Sequence, residues 1–82
     1  MRLDKYLKVS RLIKRRTVAQ SACDGGRVLV NGEARKPSYS VKPGDEITID
    51  FGSKPLRVRV LLLTETTKKQ EADGMYEVLE QR

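Results

Sequence analysis

The sequence predicts an α+β domain in which two short helices precede a small antiparallel sheet and pack on it. Three observations support that reading. Apolar residues recur at helical spacing near the start, and from Arg27 the period changes to two. Turn-forming pairs (Asn31-Gly32, Pro43-Gly44, Gly52-Ser53) then cut the rest into strand-length pieces. With 82 residues there is room for one small domain. A chain of that size buries about 60–65% of its unfolded surface.

Leu3, Tyr6 and Leu7 fall at i, i+3, i+4 and mark one face of a first helix, with Lys5 and Lys8 toward solvent. Ser10-Arg11 breaks it, and Leu12-Ile13 anchors the connection in the core. A second helix is expected from Thr17, where Thr17-Val18-Ala19-Gln20 fits a capping box. Val18, Ala19, Ala22 and Cys23 form its apolar stripe, and Gly25-Gly26 ends it. Cys23 reads as a small buried hydrophobe. Arg27-Val28-Leu29-Val30 reads as a strand, and Asn31-Gly32 is a strong hairpin signal. Lys36-Pro37 marks a break and Lys42-Pro43-Gly44-Asp45 a turn. Glu46 to Phe51 alternates as a second strand. In a third, Leu56, Val58 and Val60 face inward and Arg57 and Arg59 outward. Residues 64–74 read as a polar loop, with one possible helical turn at 68–72. Met75 to Leu79 supplies a last strand.

The composition excludes much chemistry. There is no histidine and one cysteine, so an internal disulfide, a Cys/His zinc cage and His-based nucleophile systems are all impossible. No GxxxxGK[ST] loop is present, and Asp45-Glu46 reads as turn and strand start rather than a catalytic carboxylate pair. The expectation is a binding module, not an enzyme, with no cofactor and no metal. The longest apolar run, Val60 to Leu63, is far short of the ~18 residues of a membrane span. The charged N-terminus lacks a secretory signal, so a cytoplasmic location without a membrane partner is expected.

The formal charge is +6, with 17 Lys+Arg against 11 Asp+Glu, and it is concentrated. Residues 1–16 hold seven bases (Arg2, Lys5, Lys8, Arg11, Lys14, Arg15, Arg16) and one acid, Asp4, while the remainder is neutral. A field of this kind attracts polyanions. Lys14, Arg15 and Arg16 precede the second helix, where cations oppose the helix dipole by roughly 0.3–1 kcal/mol each. A phosphate there would reverse the sign. On this view, removing Arg16 leaves stability unchanged or raises it. Only Tyr6 offers an aromatic within the basic segment, and no long basic recognition helix exists, which favours folded RNA over single strands or duplex DNA.

Arg2-Leu3-Asp4-x-x-Leu7, Arg16-x-x-Ala19, Gly26-x-Val28-x-Val30-Asn31-Gly32 and Val41-x-x-Gly44-Asp45 together resemble the S-four domain, an RNA-binding module. The resemblance covers residues 1 to about 60. It implies an S-four-type fold, with residues 1–63 as the RNA-binding domain and 64–82 as a loop and strand completing it. RNA contact is implied at Arg2 and Arg16, and the charge pattern adds Lys5, Arg11, Lys14 and Arg15. The family often has Ser at the position of Arg15 and a Leu–Ile pair at Ala22-Cys23.

Within the family the chain is most similar to the stand-alone S-four proteins of bacterial ribosome-associated quality control. That similarity implies binding to large-subunit rRNA and peptidyl-tRNA on stalled large subunits. It also implies support of the P-site tRNA while RqcH brings alanyl-tRNA for tailing, and a monomer off the ribosome. Two alternatives remain. One is a heat-shock-type S-four protein that recycles large subunits blocked by nascent chain-tRNA, although this sequence has no long basic C-terminal extension. The other is a general structured-RNA or protein-interaction module using Glu65, Glu71, Asp73, Glu77 and Glu80. Those acids also read as a solvated edge that discourages strand pairing.

Overall fold

A computed structural model of the chain describes residues 1–52, 55–63 and 74–81. Two helices, α1 (Leu3–Val9) and α2 (Arg16–Asp24), precede five strands: β1 (Val28–Val30), β2 (Glu33–Ala34), β3 (Glu46–Asp50), β4 (Pro55–Val60) and β5 (Tyr76–Gln81). All pairings are antiparallel, in the order β2-β1-β3-β4-β5. The α+β class expected from the sequence is therefore observed. The loop and helical turn expected within 64–73, Ser53 of the Gly52-Ser53 turn, and Glu65, Glu71 and Asp73 lie outside the described residues.

Alternation along the strands gives the sheet its two faces. Val28, Val30, Ile47, Ile49, Val58 and Val60 point inward and are buried against Leu3, Tyr6 and Leu7 of α1 and Ala19 and Cys23 of α2. On the outer face Glu46 pairs with Arg57 and, at 3.9 Å, with Arg59, which also lies 3.6 Å from Glu77. Glu77 thus pairs across strands as well as facing water. The Asn31-Gly32 hairpin forms as expected, with φ of 53° and 85°, both left-handed as a two-residue type I′ turn requires. The Asn31 side chain ties the hairpin to β3: its Nδ2 donates to Asp45 (3.2 Å) and its Oδ1 accepts from the Glu46 N–H (3.1 Å).

Tyr6 pins the C-terminal segment to α1. Its hydroxyl donates to the Met75 carbonyl at 2.7 Å, and that oxygen also accepts from the N–H groups of Leu61 and Leu62. Burial, assisted by the nearby Tyr76, drives the Tyr6 pKa far above its usual value, so the hydroxyl stays a donor. Cys23 is buried, and burial with the charges of Asp4 and Asp24 pushes its thiol up to about 11, as befits an inert core residue.

Two expectations for α2 are corrected. The helix begins at Arg16 with Arg15 as N-cap and no side-chain cap, so the Thr17–Gln20 capping box does not form. Gln20 instead donates to the carboxylate of Asp4 at 2.9 Å, and a charged acceptor outbids a neutral one. Val18 is 50% exposed and lies outside the core. The buried stripe is Ala19 and Cys23, with Ala22 half-buried beside it.

Candidate nucleic-acid interface

The basic segment is organised around its one acid. Asp4 lies in the first turn of α1 with its side chain fully buried. Its Oδ1 accepts from Arg2 Nε (3.1 Å) and the Lys5 N–H (2.8 Å). Its Oδ2 accepts from Gln20 Nε2 (2.9 Å), Arg16 Nε (3.3 Å) and Arg2 Nη2 (3.3 Å). Burial alone would raise the Asp4 pKa. The donors from Gln20, Arg2, Arg16 and Lys5 outweigh burial and hold it at about 2, against an ordinary 3.8.

This arrangement aims the two arginines. Each guanidinium gives one edge to Asp4 while its side chain stays about half exposed, 51% for Arg2 and 45% for Arg16. Arg16 commits only Nε to the carboxylate, which leaves both Nη groups on its outer edge. Three unit charges in contact sum to +1, and the fixed forks lose less rotamer entropy when they meet a phosphate. The sequence-based view of Arg16 as a pure cost to folding is thereby corrected: it also satisfies a buried carboxylate.

The other sequence-derived candidates lie on α1 and in the connection between α1 and α2. Arg11 follows the end of α1 at a φ of 64°, a left-handed conformation uncommon for a non-glycine residue. The Lys5 side chain is half-buried on α1, and its backbone N–H is spent on Asp4. Lys14 and Arg15 are exposed in the connection that leads into α2. Lys14, however, also borders a groove on the opposite flank of α2 from Asp4, so the six residues do not form one flat patch.

Sequence reasoning missed three contributors. The charge count treats Asp4 only as the one acid among seven bases, and the local pattern gives Gln20 to a helix cap. The third is the segment before β3. The N–H groups of Leu3 and Asp4 donate to the carbonyls of Tyr39 (2.8 Å) and Pro37 (3.2 Å), and that of Val41 donates to Met1 (2.9 Å). These bonds lay Lys36-Pro37 beside the start of α1. Arg35 lies next to it over the Tyr39 ring, at 5.2 Å from the centroid. The Tyr39 hydroxyl donates to Asp45, which fixes the ring. The Arg35-Lys36 pair in the sequence was the available signal, but only the Pro37–Asp4 bond reveals what it adjoins.

Among the described residues no group of His, Cys, Asp or Glu could hold a metal, and no helix is long and apolar enough to cross a membrane.

The S4 domain matches residues 1–47. The "RQC P-site tRNA stabilizing factor" of Bacillus subtilis is 57% identical over 81 residues, covering 99% of this chain and 94% of that one. Its namesake from Streptococcus pneumoniae is 56% identical, covering 96% and 90%. Among solved structures, the Heat Shock Protein 15 of Vibrio cholerae, described as trimeric, superposes with a TM-score of 0.89 at 32% identity over 96% of this chain and 81% of that one. Its likeness accounts for the observed fold. By sequence, this chain belongs to the S4-domain family of RQC P-site tRNA stabilizing factors.

Proposed function

We propose that this chain is a non-enzymatic RNA-binding factor of ribosome-associated quality control that steadies the P-site tRNA on stalled large ribosomal subunits. The role is the one that the resemblance to the RQC P-site tRNA stabilizing factors implies. Large-subunit rRNA and peptidyl-tRNA meet the Arg2–Arg16 face and the cations around it, and RqcH delivers alanyl-tRNA alongside. The protein works in the cytoplasm and is a monomer off the ribosome. Identity above 55% to two factors of that name favours this reading over the heat-shock type, to which the likeness is weaker.

The observation that carries it is the Asp4 cluster. A carboxylate buried under two half-exposed guanidiniums holds their outer edges toward solvent. Phosphate is the ligand whose geometry matches paired arginine forks, and RNA displays phosphates at regular intervals. The helix start adds Lys14 and Arg15, and no side chain caps the first N–H groups of α2.

The test is co-sedimentation of the tagged protein with free large subunits. Wild type should travel with them, and Arg2→Ala plus Arg16→Ala should abolish this. Because those two side chains also support Asp4, Lys14→Ala plus Arg15→Ala serves as the arm that leaves the cluster intact, and it should weaken association as well. Co-purification with a soluble protein instead, insensitive to both pairs, would overturn the proposal.

A further inference from the structure

On the flank of α2 away from Asp4 lies a groove of about 310 Å³, bounded by the α1–α2 connection, α2 and the end of β3. Its apolar walls come from Leu12, Val18, Ala22 and Phe51, and Lys14 and Arg27 stand at its rim. Val18 is 50% exposed and Phe51 56%. Phe51 is the chain's one phenylalanine, and the fold spends it outside the core.

Hydrogen bonds fix the backbone on either side of Phe51. The Asp50 N–H donates to the Arg27 carbonyl at 2.9 Å, and Asp50 Oδ1 accepts from the Gly52 N–H at 2.7 Å. Gly52, at a φ of 105°, takes a conformation closed to most side chains, and this reverses the chain immediately after Phe51. One oxygen of the acid at this rim is thus engaged in the turn, while both cations are exposed.

We infer that this groove receives an unpaired RNA base, stacked on Phe51, with Lys14 and Arg27 on the phosphates that flank it. An aromatic face bordered by cations is the combination that single-stranded nucleotides require: the ring takes the base and the cations take the backbone. Charge complementarity favours RNA over an apolar protein segment, for which two rim cations would be desolvated without a partner. Lys14 connects the groove to the Asp4 face across the start of α2, so one RNA can engage both. The inference rests on the RNA-binding reading above and adds a single-stranded element to it. Sequence alone placed no usable aromatic near the basic segment, because Phe51 arrives from β3.

The experiment compares two fluorescently labelled RNAs by anisotropy: a blunt stem-loop, and the same stem-loop with a short single-stranded oligouridine extension. The extension should raise wild-type affinity by about fivefold or more, as one base–aromatic stack does. Phe51→Ala should erase that gain and leave the affinity for the blunt stem-loop unchanged, while Phe51→Tyr should keep it. A 5-iodouridine in the extension should cross-link to Phe51. Phe51 is outside the core, so a thermal melt of Phe51→Ala close to wild type verifies that the comparison is between folded proteins. A gain that survives in Phe51→Ala, or no gain in a wild type that binds the blunt stem-loop, would overturn the groove alone. Failure of wild type to bind either RNA would instead overturn the RNA-binding reading and the groove with it. If sedimentation shows that Phe51→Ala converts a self-associating wild type to monomer with RNA affinities unaltered, the groove belongs to a second copy of the chain and the inference fails.

Discussion

Replacing Asp4 by Asn keeps the shape of the side chain and removes its charge. The carboxylate is fully buried and its pKa falls from 3.8 to about 2 on folding. That depression corresponds to about 2 kcal/mol, at ~1.36 kcal/mol for each tenfold change in proton affinity. The sign follows from the direction. A depressed folded-state pKa stabilises the fold above the unfolded pKa, and that stabilisation drains away as pH falls toward the folded value. At pH 7 it is fully present, and by pH 3 roughly half is gone. Asn adds a second penalty, since its amide NH2 would face the donors of Arg2, Arg16 or Gln20 where an oxygen now accepts. Asp4→Asn should therefore lose at least about 2 kcal/mol at pH 7, equivalent to a Tm lower by about 8–16 °C in a domain of this size. Urea titrations of wild type and Asp4→Asn at several pH values between 7 and 2.5 test this, with the other carboxylates cancelling in the difference. The gap should narrow by about 1 kcal/mol at pH 3. Equal stabilities at pH 7, or a gap constant with pH, would refute the claim that a charged Asp4 holds this cluster together.

Four other outcomes are expected. Arg15→Ala, which removes an exposed cation at the N-cap of α2, should hold or raise the Tm while weakening RNA binding. Arg16→Ala should weaken binding and also lower stability by a few tenths to about 1 kcal/mol, since its half-exposed contact with Asp4 is partly screened; thermal melts and anisotropy on the same samples separate the two. Binding of wild type to a structured rRNA fragment should fall with salt at a log–log slope of roughly −3.5 to −4.5 for about five phosphate contacts, and a slope near zero would exclude a phosphate-driven interface. Gly32→Ala should cost about 1–2 kcal/mol by urea titration, entirely through its left-handed backbone, because a Cβ there meets nothing within 4 Å.

The strands and their facing were legible because a period of two and Asn31-Gly32 are local signals that packing does not override. The inward set of Ile47, Ile49, Val58 and Val60 and the outward Arg57 and Arg59 are where alternation puts them. The helices were legible in extent but not in what their polar residues do. Thr17-x-x-Gln20 satisfies a local rule, yet Gln20 obeys a stronger, non-local one set by a carboxylate sixteen residues earlier. Val18 fits the apolar pattern of α2, but the helix buries only the narrower stripe of Ala19 and Cys23, small residues that bring it close to the core. For the candidate site, the count of charges in residues 1–16 located the cations. Counting could not reveal that Asp4 is buried and organises two of them, because net charge treats it only as a subtraction. The groove at Phe51 was invisible for a related reason: its parts lie on three segments brought together by the sheet.

A cluster of cations at a helix start is a burden for a small domain, and the magnitudes show how this chain carries it. Three cations against the dipole of α2 oppose folding by about 1–3 kcal/mol in sum. The ionised Asp4 returns about 2 kcal/mol, so the two roughly cancel. The compensation need not be forfeited when RNA arrives. Arg16 meets Asp4 through Nε alone, so a phosphate approaching its outer edge competes for different N–H groups. A surface acid would have balanced the same charge, but it would have stood in the phosphate's path and repelled it. Burying the acid under the guanidiniums separates the two tasks in space: the inner edge of each arginine serves the fold and the outer edge remains for the ligand.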